Sequence, residues 1–590
     1  ILYNVAAQTN NPGIRYSATG GASSVTPGGL GTLYFPNTLF ISDNLAGLFG
    51  NGRLFSPGFT NWTVGNLTVS NCNVTFGEDN FRLTVLTNVL ITASGSLGLP
   101  PGSALVCGRD CTLAGGSSLA GSSLYCGGNL VITGNSSMAS YSATTNWAGV
   151  NYGAVVSVTG DVTLAGNSWI YPYCDPSNGA AVRLRMSNLW VGADSGINAD
   201  GRGYGGGGRN MQISGTGYGP GAGQAVNAGC YNGGGGAYGG NGADGPMGAG
   251  GSAYGSVSFP DSPGSGGGGG YFSRAGNGGG LIQIDAAGVV TLYGALTANG
   301  TSSGDYGGGG SGGGILVNCA RLDGAASGIM RANGANGANQ GGGGGGGRVA
   351  VLYNPAFQAG SPGVRFSSTP GAGASYANGG AGAGMGTVYL PNNLFLSESP
   401  PGQAFAGVRY FSAGFTNWAP NSLILSNCSM AFGAGGFRLA VTGAVTLDAG
   451  SSLSLFGGQT LACHDLILTN GGSLYTYAAS TNATNYSVRV AVTGNLWMGA
   501  NSWVYPYSDP TNGGGAFFQV GNLNVAAANS GFNADGKGFR GGGVIGPNWS
   551  IGYGPGYGRA VSHPAGGGGY GGAGGAGPQG AGGPTYGSSN

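Results

Sequence analysis

The sequence predicts an all-β fold, a parallel β-solenoid in which short coils stack along one axis, with glycine-rich lobes and almost no helix. Three observations support this prediction. Long segments recur in the same order, the two copies differ in length by one small internal repeat, and 136 of the 590 residues are glycine. Stacked coils can gain or lose one unit because each coil contacts only its neighbours.

The duplication is visible in four segments that return in order. They are residues 31–36 (GTLYFP) and 386–391 (GTVYLP), 58–62 and 414–418 (both GFTNW), 167–173 (NSWIYPY) and 501–507 (NSWVYPY), and 217–221 and 552–556 (both GYGPG). Phe437 follows Phe81 by 356 positions, whereas Cys463 follows Cys126 by 337, so the second copy lacks 19 residues. Cys107 and Cys126 are also 19 positions apart. The repeating unit is therefore the single coil.

Two kinds of sequence alternate along the chain and define its predicted organisation. Residues 31–200 and 386–535 contain short β-branched runs separated by Gly, Asn and Ser, as expected for solenoid strands and corners. Residues 201–385 and 536–590 are glycine-rich coils, the second set truncated, and residues 1–30 read as the end of a preceding repeat. We expect the glycine runs to form polyglycine-II-like helices packed side by side; flexible loops are the alternative.

The composition argues against several classes of function. Charged residues make up 6% of the chain and the net charge is +1, so nucleic acid and anionic membranes are not expected partners. No apolar run has the length of a membrane span, and no glycine run is followed by the Lys-Ser/Thr of a nucleotide-binding loop. Acidic residues are too sparse to predict a catalytic pair, so we expect no enzyme; a β-helix enzyme that cleaves glycans is the alternative.

No cofactor is predicted, and two repeated acidic positions are the candidates for structural calcium. Asp200 and Asp535 are each followed two positions later by a cation, Arg202 or Lys537, which indicates a local ion pair at a corner. Structural calcium at Asp200 and Asp535 is the weaker reading, because a single carboxylate makes a poor calcium site.

Cys107 and Cys126 are the candidate disulfide. If they occupy the same place in adjacent coils, their backbones lie about 4.8 Å apart, which is inside the range that a disulfide spans. The alternative is that they are small buried side chains without a covalent partner, as expected for Cys72 and its counterpart Cys428.

Four tryptophans recur and are the candidate contact aromatics: Trp62 with Trp418, and Trp169 with Trp503. Exposed, they would form a platform for glycans or a contact between neighbouring fibres. The alternative is stacking between coils at the edge of the solenoid.

Residues 130–137 (LVITGNSS) and 341–351 (GGGGGGGRVAV) carry a resemblance to a known group. They resemble the glycine-rich parallel β-helix repeats of bacterial surface proteins, in the style of autotransporters and filamentous adhesins. That resemblance implies a β-helix and an extracellular or cell-surface location. We expect an extracellular structural repeat protein that forms or extends a fibre through copies of itself. The alternatives are a surface adhesin or receptor-binding fibre that recognises glycans and, with less support because flat threonine arrays are not evident, an ice-binding surface.

Overall fold

The computed structural model confirms a parallel β-solenoid. It describes residues 1–21, 28–142, 152–208, 215–225, 232–246, 248–270, 273–373, 382–479, 487–541, 544–545, 548–549, 552–559, 567–578 and 580–586. These residues form 47 strands, β1 to β47 in chain order, and no helix. Paired strands are parallel except for β46 (Val544–Ile545) with β47 (Asn548–Trp549).

A full coil contributes one strand to each of three faces, which we call face 1, face 2 and face 3 in the order the chain visits them, and the coils at the junction of the two copies lack a strand on face 2. In the first copy, face 1 contains β5 Asn61–Val64, β8 Arg82–Val85, β11 Ala104–Cys107, β14 Ser123–Cys126, β17 Tyr152–Val158, β20 Ala181–Met186, β23 Leu281–Ala286, β26 Gly314–Cys319, β29 Arg348–Tyr353 and β31 Gly386–Leu390. Face 2 contains β6 Leu67–Ser70, β9 Val89–Thr92, β12 Cys111–Leu113, β15 Leu130–Ile132, β18 Val162–Leu164, β21 Leu189–Val191, β24 Val289–Leu292 and β27 Arg321–Gly324.

Face 3 runs through both copies. It contains β2 Thr32–Tyr34, β4 Arg53–Phe55, β7 Asn73–Phe76, β10 Ser96–Gly98, β13 Ser118–Gly121, β16 Ser137–Tyr141, β19 Trp169–Tyr173, β22 Gly196–Asn198, β25 Ala295–Thr297, β28 Ile329–Arg331, β30 Arg365–Ser367, β32 Phe405–Ser412, β35 Ser429–Phe432, β38 Ser452–Phe456, β41 Ser473–Tyr477, β43 Trp503–Tyr507 and β45 Gly531–Phe532. In the second copy the other two faces contain β33 Asn417–Trp418, β34 Leu423–Ser426, β36 Arg438–Ala440, β37 Ala444–Asp448, β39 Thr460–Cys463, β40 Asp465–Leu468, β42 Val488–Met498 and β44 Ala516–Val525. A small parallel pair, β1 Tyr16–Ser17 and β3 Phe49–Asn51, precedes the stack.

The core is built from columns of inward side chains. Alternate residues of each strand point inward, and the parallel register places equivalent residues of successive coils on top of one another. One such column on face 1 is Leu83, Leu105, Leu124, Val156 and Leu184, all at most 1% exposed. Burying each such side chain contributes roughly 1.5–3 kcal/mol. The coil is therefore held by its neighbours above and below.

The corners are fixed by amide and carboxylate ladders. Between faces 1 and 2, a side-chain oxygen of one coil accepts the backbone N–H of the next: Asn88 from Asp110 at 3.2 Å, Asp110 from Asn129 at 2.7 Å, and Asn129 from Asp161 at 2.9 Å. Between faces 2 and 3 the chain bends through left-handed residues such as Asn135 and Asn167, with φ of 61° and 60°. Asparagine suits both corners because it tolerates this geometry and forms ladders along a stack.

The second copy is shorter by one coil. On face 1 of the first copy, β8 is followed by β11, β14 and then the long strand β17. In the second copy, β36 is followed by β39 and then directly by the long strand β42. The missing 19 residues thus correspond to one complete turn of the solenoid.

The glycine-rich segments all leave the solenoid at one corner. Residues 199–280, 298–313 and 332–347 each connect a strand of face 3 to a strand of face 1. Their strands continue the same ladders as the preceding coils, so these coils are ordinary ones with an enlarged third corner. The enlarged corners gather into a lobe beside the stack.

The lobe is a bundle of three-fold glycine helices joined by backbone hydrogen bonds. Along residues 308–313, successive amides donate to three neighbouring segments in turn and then repeat the order: Gly308 to Gly268, Gly309 to Gly342, Gly310 to Thr301, Ser311 to Ser265, Gly312 to Gly345 and Gly313 to Ala298. A period of three residues is that of the extended helix without internal hydrogen bonds. The carbonyls of the same run accept from three further segments, through Gly276, Gly236 and Ala335. The glycine runs are thus ordered and polyglycine-II-like.

A buried arginine connects the lobe to face 1. Arg348 of β29 is 5% exposed. Its Nε and Nη2 donate to the carbonyl of Tyr254 at 2.9 and 2.7 Å, and its Nη1 donates to Thr387 Oγ1 at 3.3 Å. The guanidinium lies 5.4 Å from the ring centroid of Tyr238, and burial lowers the pKa of Arg348.

The two copies meet without a break on face 3, whereas the face 2 sheet ends at β27 and a separate sheet begins with β33 and β34. Strand β32 pairs with β30 of the first copy and with β31 on one side, and with β35 of the second copy on the other. The lobes are also in contact, because Arg540 Nη2 of the second lies 3.1 Å from Asp244 Oδ2 of the first. The stack therefore passes from one copy to the next through the pairing of β31 with β29 and of β32 with β30.

Candidate functional site

Aromatic side chains form one outward patch on face 3 of each copy, and we call these patches the aromatic panels. Panel 1 contains Tyr141, Trp169, Tyr171 and Tyr173, and panel 2 contains Phe456, Tyr475, Tyr477, Trp503, Tyr505 and Tyr507. The rings point outward because they alternate with inward residues such as Ile170 and Val504. Equivalent residues in the two copies occupy equivalent places on the solenoid.

The tyrosines of each panel stack along the axis. Ring centroids are 4.5 Å apart for Tyr141 and Tyr173, and 4.8 Å apart for both Tyr477 with Tyr507 and Tyr475 with Tyr505. The interplanar angles lie between 19° and 24°. Because the ring faces are directed at one another, the stacks present ring edges and phenol oxygens to solvent. Burial raises the pKa of Tyr141, Tyr475 and Tyr507.

A cation covers the end of each tyrosine stack. The guanidinium of Arg202 lies 4.7 Å from the centroids of both Tyr171 and Tyr173. In the second copy, Lys537 Nζ lies 5.2 and 5.1 Å from Tyr505 and Tyr507. Such contacts stabilise by roughly 0.5–1 kcal/mol at exposed sites.

Arg202 and Lys537 are each held by a backbone carbonyl. The ion pair predicted between the Asp200 carboxylate and Arg202 does not form. Arg202 Nη1 donates to the carbonyl of Asp200 at 3.0 Å and to Asn198 Oδ1 at 2.7 Å. The Asp200 carboxylate instead accepts the N–H of Asn299 at 2.6 Å, which makes it part of a corner ladder. Lys537 likewise donates to the carbonyl of Asp535 at 3.1 Å. Among the described residues, no cluster of three or more His, Cys, Asp or Glu side chains is placed to hold a metal ion.

The four candidate tryptophans fall into two classes. The ring centroids of the half-buried Trp62 and of Phe76 are 5.9 Å apart, as are those of Trp418 and Phe432. Both tryptophans therefore contact the phenylalanine clusters of the core. Trp169 and Trp503 belong to the panels instead. Each pairs in register with a glycine of the next coil, Gly196 or Gly531, over which its indole leans. Trp169 and Trp503 therefore lie on the outer side of face 3, whereas Trp62 and Trp418 lie against the core.

Cys107 and Cys126 are register partners on the adjacent strands β11 and β14. Both are buried, at 1% and 3% exposed, and both are thiols in this structure. The hydrogen bond with Cys126 lowers the pKa of Cys107 to about 7, and the same bond raises the pKa of Cys126. Cys72 and Cys428 are buried, and burial raises the pKa of each.

Face 2 carries an outward column of side chains that the sequence did not reveal. In register, the column is Thr68, Leu90, Thr112, Val131, Thr163, Trp190 and Thr291. Four of these seven are threonine, and strand β27 continues the column with the charged Asp323. The signal is hidden in the sequence because the residues that pair are separated by unequal distances.

Comparison with known protein families, curated proteins and solved structures gave no significant match to this chain. Within the described residues, the structure contains no helix that could cross a membrane. The fold and its surfaces are therefore the basis for inferring its function.

Proposed function

We propose that this chain is a structural module of an extracellular fibre, in the style of the bacterial surface repeat proteins that its sequence resembles, and that it catalyses no reaction. The observation that carries the proposal is strand β32, which pairs with both copies and continues one stack into the next. A further repeat would join by the same coil-on-coil pairing. Its partners are copies of itself along the fibre.

The properties of the surface support this role. The coils gain their stability from neighbours along the axis, so tension along the fibre is opposed by every backbone ladder together. With 6% charged residues, adjacent fibres can approach with little cost of charge desolvation. The glycine lobe adds a second hydrogen-bonded bundle beside the solenoid.

Electron microscopy of lengthened chains tests the proposal. A chain in which residues 31–385 are present once more should give rods of unchanged width whose length increases by a fixed increment of about 4.8 Å for each added coil. Separate globular particles joined by linkers, or an unchanged length, would show that copies do not stack.

The second candidate is an adhesin that recognises glycans through the aromatic panels. It is favoured by the outer position of Trp169 and Trp503, one in each copy. A glycan array should then show saturable binding that falls when both tryptophans are replaced by alanine. Tyr125→Ala, on the outside of face 1, serves as the control because Tyr125 is 38% exposed and lies outside the panels.

A further inference from the structure

The column of side chains that contains Cys107 differs between the copies by the additional coil. In the first copy the inward column reads Val85, Cys107, Cys126 and Val158. In the second copy Cys463 pairs with Val492, and the neighbouring coil on the other side carries Val441. The additional coil therefore introduces the second cysteine and converts a single thiol into a pair.

The positions of the two thiols suit a covalent bond. Register partners on neighbouring parallel strands lie about 4.8 Å apart at Cα, and disulfides span Cα separations of roughly 4.4–6.8 Å. Cys107 Sγ lies 3.2 Å from the carbonyl oxygens of both Thr87 and Asp110. Cys126 Sγ lies 2.9 Å from the carbonyl oxygen of Arg109, in the corner of the Cys107 coil, and 3.4 Å from that of Asn129.

We propose that Cys107 and Cys126 form a disulfide that staples two successive coils of the first copy along the solenoid axis. One thiolate attacks a small-molecule disulfide such as oxidised glutathione, forming a mixed disulfide and releasing one reduced glutathione. The second thiolate then attacks the protein sulfur of the mixed disulfide and releases the other reduced glutathione. Two protein thiols are oxidised and one glutathione disulfide is reduced.

The bond forms while the chain folds, because both thiols are shielded from solvent in the finished coil. An extracellular protein folds under oxidising conditions that supply such a disulfide. The pairing itself does not depend on fibre formation, since both cysteines belong to one chain.

Thiol counting on the full chain tests the proposal. The protein is produced with oxidised glutathione present during folding, denatured without reductant, blocked with N-ethylmaleimide and weighed. We expect label on seven of the nine cysteines, a linked pair of peptides containing Cys107 and Cys126, and label on Cys463. Label on all nine, or a linkage between other cysteines, would overturn the proposal.

Two valine variants distinguish the effect of the disulfide on stability from the effect of the packing around it. Cys107→Val and Cys126→Val each extend a column that already contains valine above and below, so the coil should still pack. Reductant should lower the unfolding midpoint of the wild type and leave that of either variant unchanged. An equal shift in wild type and variants would contradict the staple, and because the label count uses the wild type alone, it stands even if a variant misfolds.

Discussion

The solenoid coils and the glycine lobe are both ordered, but side chains fill the interior of the coils and backbone fills the interior of the lobe. The coils enclose columns of leucine, valine and isoleucine, and the backbone bonds between their strands run along the axis. The lobe has almost no side chains inside it, and its backbones bond to neighbours in several directions. A coil should therefore be damaged when atoms are removed, and the lobe when atoms are added.

The largest effect is expected from removing side-chain volume in a coil. Leu113 of β12 is 0% exposed and lies between Ile91 and Ile132 in register. Leu113→Ala should lower the free energy of unfolding by about 2–5 kcal/mol, because the cavity cannot close around a shorter side chain. Leu90→Ala is the control, since Leu90 lies on the outside of the neighbouring strand and is 39% exposed. Chemical unfolding followed by circular dichroism measures both; equal losses would contradict a core made of inward columns.

Adding a single methyl group to the lobe should have the next largest effect. At Gly310 a Cβ atom would overlap the carbonyl oxygen of Asn277, a backbone atom that cannot move aside. Gly310→Ala should cost about 1–3 kcal/mol, as overpacking does in tight interiors. The control is Gly208→Ala, because Gly208 is exposed and has no atom within 4 Å of a Cβ. Hydrogen exchange should show faster exchange at the lobe amides in Gly310→Ala only, and protection equal to wild type would argue for loosely packed glycine segments.

Unfolding at alkaline pH tests the burial of Tyr238, a large side chain inside the lobe. Tyr238 is 0% exposed, and burial raises its pKa above the usual value of 10.0. Above pH 10 the unfolded chain ionises at this tyrosine while the folded chain does not. The folded state is therefore favoured less as the pH rises, by about 1.4 kcal/mol for each pH unit.

Tyr238→Phe should remove this contribution. Unfolding midpoints measured between pH 7 and 11.5 should fall less steeply above pH 10 in the variant than in the wild type. Below pH 9 the difference between the two proteins should be constant, which provides the baseline. Parallel curves across the whole range would show that Tyr238 ionises equally in both states.

The coils could be predicted from the sequence because their signals are local. The spacing of Cys107 and Cys126, and the β-branched runs between Asn and Gly, gave the coil and its length. The threonine column of face 2 could not be predicted, because coil-to-coil partners are separated by 19, 32, 27 and 99 residues in different parts of the stack. Only the register shows which residues share a column.

In the lobe, the hydrogen-bond partners of each glycine run could not be predicted from the sequence. Residues 341–347 are seven identical glycines, so nothing in them specifies which neighbour each amide contacts. Order there depends on strands β28 and β29, which fix the two ends of the excursion formed by residues 332–347. The ion pair expected between Asp200 and Arg202 was wrong for a related reason, since the ladder to Asn299 and the tyrosine rings lie in other coils.

The smallest effect on stability is expected at the cations that cover the tyrosine stacks, which are Arg202 in the first copy and Lys537 in the second. Arg202→Met should lower stability by about 0.5–1 kcal/mol, and Lys537→Met by a similar or smaller amount, because a compact ammonium contacts less of a ring than a planar guanidinium. Arg202→Lys is the matched control, since Lys537 already occupies the equivalent place in the second copy. Near-ultraviolet circular dichroism of the tyrosines should change in both methionine variants and be largely retained in Arg202→Lys. If Arg202→Lys were as damaging as Arg202→Met, the planar guanidinium, rather than a positive charge over the rings, would account for the arginine, because Lys537 keeps the equivalent bond to Asn533.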